Sequence, residues 1–382
     1  MTPGARVQAA IEALDRIAGG EPSERVLTRW ARASRHAGSK DRAAVRDHVF
    51  DALRRWWSAA ALGGGEDGRA RMIGLLRDRG VDPATLFTGE GYAPAPLTQE
   101  ERAVPPASRH PDVPDWLLPE LDRSLGAARP AILEALRHRA PVFLRANLAR
   151  GDRATAAAAL AGEGIETRPH ALSPNALEVL SGARRVHLAA AFRDGLVEVQ
   201  DAASQAVADM VPLDGAARVL DFCAGGGGKA LAMAARHPAT YHAHDADPAR
   251  MRDLPARAAR AGLRIDRVAA ADLAPAYDVV LVDAPCSGSG AWRRSPEGKI
   301  RFTPARLAEL AAMQDAVLAR AAPRVAPGGA LVYATCSLLA AENGDRLRAS
   351  DLHDRFDLAA ERHFTPLDGG DGFYCAVLRA RS

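Results

Sequence analysis

Residues 219–229 read VLDFCAGGGGK, an apolar run that passes through an acid into four consecutive glycines. An apolar run bounded by glycine is typical of a buried strand, and glycine lets the backbone turn sharply beside a ligand. Similar runs recur along the chain, and we predict strands at 219–222, 240–245, 263–268, 279–283, 331–335 and 373–378. Because helical segments separate these runs, residues 206–382 are predicted to form a doubly wound, mostly parallel α/β sheet.

Two cysteines lie directly after predicted strands. Cys286 closes the sequence DAPC at 283–286, and Cys336 lies in ATCS at 334–337. Carboxyl ends of parallel strands meet at the edge of the sheet where open α/β proteins bind ligands. The glycine loop and both thiols are therefore predicted to meet at this edge. Two thiols in such a place indicate covalent catalysis beside a nucleotide-like cofactor.

The composition narrows the functional classes. A chain of 382 residues that is 48% hydrophobic predicts two or three domains with real cores. We find no signal peptide and no apolar run long enough to span a bilayer, so a cytoplasmic protein is expected. Four cysteines without a CxxC pair or Cys/His cluster predict neither a disulfide framework nor a metal site. A net charge of +3 barely favours a nucleic-acid partner, and nothing predicts an obligate oligomer, so we expect a monomer.

The chain divides by composition into four predicted parts. Residues 1–81 have apolar residues at helical spacing, and residues 82–114 form a proline-rich linker. Residues 115–205 are predicted to form a small α+β domain, and 206–382 the alternating α/β domain. In the first part Arg25, Arg29 and Arg32 share one helix face, as either a solvated surface or a phosphate-contacting stripe.

Two acids after later strands are candidate cofactor contacts. Asp245 ends the second predicted strand, where an acid can accept both ribose hydroxyls of a nucleoside. Asp272 follows the third strand and either binds an adenine amino group or is an exposed turn residue. The spacing Gly225-x-Gly227-x-x-Ala230 also fits a dinucleotide fingerprint. A nicotinamide-dependent dehydrogenase is therefore an alternative, although hydride transfer gives the two thiols no role.

The motifs resemble those of the Sun/NOP (RsmB-like) family of S-adenosylmethionine-dependent RNA cytosine-C5 methyltransferases. The resemblance is strongest at VQDAASQ (199–205), CAGGGGK (223–229), DAPCSGSG (283–290) and YATCS (333–337). It implies a Rossmann-like methyltransferase domain at 206–382, a small α+β RNA-binding domain before it and a reduced NusB-like helical domain at the N-terminus. The family loop usually reads CAAPGGKT, and here Gly225-Gly226 replace Ala-Pro and Ala230 replaces Thr, so the loop loses rigidity and a hydroxyl.

The resemblance also implies a reaction, which is methyl transfer from S-adenosylmethionine to C5 of a cytosine in RNA. The expected substrate is 16S rRNA, with tRNA or 23S rRNA as alternatives and a catalytically inactive ribosome-assembly protein as a different class. Cys336 would be the nucleophile that adds to C6, Cys286 the thiol that releases the product, and Asp283 the contact to N3. The two thiols could also exchange roles.

Site residues are carried over by position in these motifs. Cofactor contacts are expected from Cys223, Ala224, Gly225, Gly226, Gly227, Gly228, Lys229, Asp245, Asp272 and Asp283. RNA contacts are expected from Arg145, Asn147, Arg293, Arg294 and Lys299.

Overall fold

A computed structural model describes residues 1–103, 105 and 110–381 of the chain. In chain order the helices are α1 (Pro3–Ala18), α2 (Ser23–Ala33), α3 (Ser39–Arg54), α4 (Trp56–Gly63), α5 (Gly68–Asp78), α6 (Gln99–Arg102), α7 (Leu118–Leu125), α8 (Arg129–Leu136), α9 (Arg153–Gly162), α10 (Ala190–Arg193), α11 (Ala202–Met210), α12 (Gly228–Arg236), α13 (Leu254–Ala261), α14 (Glu297–Ile300), α15 (Pro304–Ala321) and α16 (Gly344–Ala349). The strands are β1 (Val142–Ala146), β2 (Thr167–Pro169), β3 (Ala176–Val179), β4 (Val197–Val199), β5 (Arg218–Asp221), β6 (Thr240–Ala243), β7 (Asp266–Arg267), β8 (Tyr277–Asp283), β9 (Val325–Thr335), β10 (Phe356–Phe364) and β11 (Phe373–Ala380).

These elements fall into two compact units. The helical unit comprises residues 1–118, 127–139 and 292–302, and the α/β unit comprises residues 119–126, 140–291 and 303–382. Every strand of the described chain lies in the α/β unit. Of the helices assigned in the described ranges, none combines the length and apolar character that crossing a membrane requires.

The helical unit is built around α1. The predicted spacing is confirmed, because Val7, Leu14 and Ile17 of this helix are buried together with Val45 of α3. Helices α4 and α5 approach so closely that a β-carbon added at Gly74 would lie 1.8 Å from the carbonyl oxygen of Ala59. The proline-rich segment 82–114 contains α6, and its residues 104 and 106–109 lie outside the described residues.

The α/β unit contains a seven-stranded sheet with the order β10-β11-β9-β8-β5-β6-β7. Strands β5 to β9 pair in parallel, whereas β11 is antiparallel to β9 and β10 is antiparallel to β11. Alternate residues of each central strand enter separate cores, with Val219 and Val279 in one and Leu220 and Val280 in the other. Helices α11 and α15 supply residues to opposite cores, which confirms the predicted doubly wound, mostly parallel fold.

The strands that differ from prediction lie away from the sheet centre. The predicted strand at 263–268 is reduced to β7, which pairs with β6 alone. Strand β10 was not predicted, because its residues between Phe356 and Phe364 are all exposed and show no alternation of apolar and polar residues. Strand β9 begins at Val325, earlier than expected, because the sequence PGG at 327–329 obscures its first half.

A second, antiparallel sheet of the α/β unit has the order β2-β3-β1-β4. Its four strands lie within residues 115–205, for which a small α+β domain was expected. Helix α9 begins at Arg153, because the Asp152 carboxylate accepts a hydrogen bond from the Thr155 amide at 2.7 Å. Helix α11 contributes to the core of the large sheet and follows β4 directly, so the two sheets share one unit.

The close approach of α4 and α5 predicts that Gly74→Ala destabilises the protein. Alanine gains about 1 kcal/mol of helix propensity over glycine, but its methyl group would collide with backbone atoms of Ala59, which cannot move independently. We expect a net loss of about 2 kcal/mol in the free energy of unfolding in urea.

The matched control is Gly19→Ala. Gly19 has a φ of −71° and its added β-carbon would lie 3.4 Å from the nearest atom, so this variant should unfold at the wild-type urea concentration. Equal stability of both variants would contradict the packing described for Gly74.

Candidate active site

Three loops at the carboxyl edge of the large sheet follow the adjacent strands β5, β8 and β9. The register pairs Asp221 with Leu281 and Asp283 with Ala334, so the three strands end at nearly the same level. Strand β5 has a parallel neighbour on each side, reached through crossovers in opposite directions. Open α/β sheets bind ligands at such a switch point.

The two cysteine loops bring their thiols together. The Sγ atoms of Cys286 and Cys336 lie 3.4 Å apart, and both side chains are half-buried. The hydrogen bond to Cys336, together with burial, raises the pKa of the Cys286 thiol well above its ordinary value. Cys286 therefore holds its proton more firmly than a free thiol does.

The buried carboxylate of Glu342 connects the two cysteine loops through hydrogen bonds. The Glu342 carboxylate accepts hydrogen bonds from the Ser287 amide at 2.8 Å, the Ser287 hydroxyl at 2.5 Å and the Ser337 hydroxyl at 2.5 Å. Gln314 of α15 donates to the same carboxylate at 3.2 Å and to the carbonyl of Pro285 at 2.9 Å. The residues that follow both cysteines are thus tied to one acid.

Lys229 and Asp283 form an ion pair beside the thiols. The Lys229 Nζ lies 2.6 Å from Asp283 Oδ2. Burial alone would lower the pKa of Lys229, but the charge and hydrogen bond of Asp283 overcome it and, with a contribution from Cys336, raise that pKa. Lys229 is therefore a fixed cation within electrostatic reach of Cys336.

A further acid, Asp221, lies beneath this pair at the end of β5. Its side chain is buried, and its Oδ1 atom has no hydrogen-bond partner within the described chain. Burial and the nearby charge of Asp283 raise the pKa of Asp221 to about 7, against the partial compensation of Lys229. We did not predict this residue, although an acid that ends an apolar strand before a glycine loop is a usable signal.

The glycine loop of residues 225–228 turns from β5 into α12. Gly225 and Gly227 have φ of +51° and +78°, and a β-carbon at Gly227 would lie 2.2 Å from Leu254 Cδ1. The Gly225 amide donates to the Asp245 carboxylate at 2.9 Å. These contacts require glycine at both positions and attach the loop to the end of β6.

A cavity of about 600 Å³ opens beside Asp245. Apolar residues form much of its wall, and the volume falls in the range of small-molecule sites. The lining residues are His244, Asp245, Ala246, Pro248, Met251, Arg267, Val268, Ala269, Ala270 and Arg320. The other candidate acid, Asp272, is exposed in the turn Ala270–Asp272 and does not line this cavity.

The remaining predicted cofactor residues fall in the same loop. Cys223 is half-buried against the core beneath the sheet, and burial raises the pKa of its thiol far above the ordinary value. The Ala224 amide donates to the His244 carbonyl at 2.9 Å, which joins the loop to β6. Within the described ranges, no group of three His, Cys, Asp or Glu side chains is arranged to hold a metal ion.

The predicted RNA contacts Arg145 and Asn147 are buried. The Arg145 guanidinium donates to the side chain of Gln200 and to the Gly228 carbonyl at 2.9 Å. The Asn147 amide donates to the carbonyls of Gly195 at 2.7 Å and Ala261 at 2.8 Å. Because these donors are directed at protein atoms, they attach the end of β1 to helices α12 and α13.

The other predicted RNA contacts lie in the helical unit, in the segment 292–302. Lys299 is only 2% exposed, and its Nζ donates to the Arg54 carbonyl at 2.6 Å. Burial lowers the pKa of Lys299 to about 7. Arg293 is buried and its carbonyl accepts from the Arg54 guanidinium at 2.7 Å, whereas Arg294 is half-buried. The buried positions favour packing roles, which sequence spacing alone could not distinguish from RNA contact.

Comparison with known proteins gives a family. Residues 210–379 match the family described as 16S rRNA methyltransferase RsmB/F, and residues 113–187 match the ferredoxin-like domain described for RsmF/B-like methyltransferases. Ribosomal RNA small subunit methyltransferase B of Xylella fastidiosa (strain 9a5c) is 36% identical over 301 residues, covering 73% of this chain and 71% of that protein. The chain belongs to the RsmB/F family of RNA methyltransferases. The protein of the same name from Citrobacter koseri is 34% identical over 283 residues, covering 69% of this chain and 66% of the relative.

Solved structures share the fold at low sequence identity. The crystal structure of PH0851 has a TM-score of 0.75 and 21% identity, and the match covers 99% of both chains. NSun6 from Pyrococcus horikoshii with SFG has a TM-score of 0.62 and 18% identity over 70% of this chain and 98% of that one. At these identities the likeness concerns the arrangement of elements.

The environment of Asp221 predicts a pH-dependent stability that Asp221→Asn removes. A carboxyl whose pKa is raised to about 7 by folding keeps its proton in the folded state while the unfolded chain loses it above pH 4. The free energy of unfolding should therefore fall by about 2–3 kcal/mol between pH 5 and pH 8 on account of this residue. Urea unfolding of Asp221→Asn should lack that decrease.

Asp272→Asn serves as the control because Asp272 is exposed. This variant should show the full wild-type dependence on pH. A wild-type decrease that persists unchanged in Asp221→Asn would show that Asp221 is not the group responsible.

Proposed function

We propose that the protein transfers a methyl group from S-adenosylmethionine to C5 of a cytosine in RNA, with 16S rRNA as the substrate. The observation that carries this proposal is the pair of thiols 3.4 Å apart at the carboxyl edge of the sheet. A second observation supports it, since an ion-paired lysine and a cavity of cofactor size belong to the same edge. The names of the curated relatives support the RNA target.

The chemistry requires a nucleophile because C5 of cytosine is unreactive towards electrophiles. The Cys336 thiolate would add to C6, and the electron pair of the C5–C6 double bond would then become available at C5. S-adenosylmethionine would supply the electrophilic methyl group, and C5 would accept it. A base assisted by Cys286 would next take the C5 proton, so that the double bond re-forms and the bond between C6 and the Cys336 sulfur breaks.

Lys229 and Asp283 would prepare this step. A buried ammonium stabilises a nearby thiolate, and Lys229 is close enough to Cys336 for their charges to interact. Asp283 engages Lys229 through Oδ2, and its Oδ1 has no partner in the described part of the chain. That oxygen is available to accept a hydrogen bond from the protonated N3 edge of the cytosine adduct.

The cavity beside Asp245 suits the adenosine part of S-adenosylmethionine. The Asp245 carboxylate is buried at its edge and would accept the ribose hydroxyls, while Val268 and Ala269 offer an apolar wall for adenine. The positive φ angles of Gly225 and Gly227 are compatible with close approach of the cofactor to the loop backbone. The residues present therefore fit this cofactor, including the loop in which Gly225-Gly226 replace Ala-Pro.

A basic surface of the helical unit is consistent with an RNA partner. Residues 21–48 contain seven Lys or Arg against four Asp or Glu, an excess of three that equals the net charge of the whole chain. The four acids are already engaged in ion pairs with Arg16, Arg29, Arg46, Arg6 and Arg139. Arg25, Arg32, Arg35 and Lys40 are exposed and have no acidic partner in the described ranges, which suits phosphate contacts.

The alternatives differ in what they leave unexplained. A nicotinamide-dependent dehydrogenase would use the glycine loop and Asp245 but would give no role to the thiol pair. An inactive assembly protein would not need an ion-paired Lys229 beside Cys336. Methylation of tRNA or 23S rRNA would use the same groups, so the attached RNA has to be identified directly.

The roles of the two thiols predict an asymmetric trapping experiment. Cys286→Ala should accumulate a covalent protein–RNA adduct, because Cys336 can still attack but release is blocked. Cys336→Ala should form none. Adducts recovered from cells under denaturing conditions and sequenced should map to one cytosine of 16S rRNA.

Other results of the trapping experiment would change the thiol roles, the substrate or the mechanism. An adduct only from Cys336→Ala would exchange the two roles, and an adduct on tRNA would change the substrate. Absence of an adduct from both variants, when the wild-type protein methylates RNA, would contradict the covalent mechanism.

The cofactor assignment predicts selective binding. Calorimetric titration should show one molecule of S-adenosylhomocysteine bound per chain, with no binding of NAD. Asp245→Ala should weaken this affinity at least about tenfold, because the ribose loses charge-assisted hydrogen bonds. Asp272→Ala should change it far less, since Asp272 is exposed outside the cavity; NAD binding in place of S-adenosylhomocysteine would favour the dehydrogenase.

A further inference from the structure

The two thiols are chemically identical, yet the proposed reaction gives them different tasks. We propose that Glu342 is a positioning residue that holds the two cysteine loops together and, through its negative charge, makes a second negative charge at Cys286 unfavourable. This division of tasks rests on the proposed function, whereas the protonation states themselves can be measured without RNA or cofactor.

Glu342 accepts hydrogen bonds from both cysteine loops. Its side chain is fully buried, and a buried carboxylate is costly unless its oxygens are satisfied. Its donors come from three separate elements, namely Ser287 after β8, Ser337 after β9 and Gln314 of α15. The amide and glutamine nitrogens can only donate, so Oε1 of Glu342 is the acceptor for both. Glu342 therefore joins the residue after Cys286 to the residue after Cys336.

Neighbouring bonds reinforce the same connection. The Ser289 hydroxyl lies 3.0 Å from the Ser337 hydroxyl and accepts from the Leu338 amide at 2.8 Å. The Tyr333 hydroxyl donates to the backbone carbonyl of Glu342 at 2.6 Å, which holds the turn Ala340–Glu342 against β9. The loops carrying the thiols are thus braced at several points, and Glu342 is the only charged group in this network of described residues.

The charged groups around Cys286 differ from those around Cys336. The charged and titratable groups around Cys286 and Cys336 are Lys229, Asp283, Tyr333 and Glu342. The Lys229 ammonium lies within electrostatic reach of Cys336. After the hydrogen bond to Cys336 and burial, the charges of Cys336 and Glu342 also raise the pKa of Cys286. Lys229 is the cation near Cys336, and Glu342 is the anion near Cys286. This difference would make Cys336 the nucleophile.

The test measures thiol ionisation by alkylation with iodoacetamide, followed by mass spectrometry of the cysteine peptides. Because thiolates react and thiols do not, the rate at a given pH reports the ionised fraction. In the wild-type protein, brief labelling should modify Cys336 at a lower pH than Cys286. Labelling of Cys286 first would overturn the proposal, and this measurement needs no substitution.

The role of Glu342 is tested in a background with one reactive thiol. Cys336→Ala and Cys336→Ala/Glu342→Gln differ only in the carboxylate, and the second should alkylate at Cys286 at least about threefold faster at pH 8. Glu309→Gln in the same background is the matched control, since Glu309 is exposed on α15 and pairs with Arg306. An equal Cys286 rate in all three proteins would overturn the proposal.

Folding is checked within the same experiment. Cys375 is fully buried in β11 and should remain unlabelled in every variant. If Glu342→Gln exposes Cys375, the labelling order of Cys336 and Cys286 in the wild-type protein remains the test, because it needs no substitution. Failure of RNA methylation alone would leave the thiol measurements unaffected.

Discussion

Parallel hydrogen bonding of β8 to β5 on one side and to β9 on the other is the constraint on which the site depends. The register brings the ends of these strands to one level, so that the loops after them are neighbours in space. Both faces of these strands are buried, and a shift of one residue would move apolar side chains out of two cores at once. The distance between two thiols 50 residues apart in sequence is therefore set by sheet pairing.

Several ionisable groups are buried at this edge, and each affects its neighbours. Lys229 is stabilised as a cation by Asp283, whose charge in turn makes ionisation of Asp221 unfavourable. Such coupling is strong because protein interiors screen charge poorly. Bringing these charges together costs stability, and functional sites commonly carry that cost to perturb their reactive groups.

Sequence reasoning performed best where chemistry and chain order coincide. The apolar runs before the glycine loop, Asp283 and Cys336 could be recognised as central strands because strands buried on both faces are almost continuously apolar. It left the role open where a residue type has two uses. Arg145 and Lys299 are basic residues in suggestive motifs, yet their donors are directed at backbone carbonyls inside the protein. Burial is a property of the folded chain, and no local pattern around either residue reveals it.

The sequence by itself determined the fold class, the central parallel strands of the large sheet and the two cysteines at strand ends, because these follow from local apolar patterning and residue chemistry. Only the tertiary structure decided that the thiols are in contact and that Lys229 pairs with Asp283. It likewise decided that Asp221 and Glu342 are enclosed with them. These facts depend on which strands become neighbours, and that choice is made by burial of two cores and pairing of backbone groups far apart in sequence.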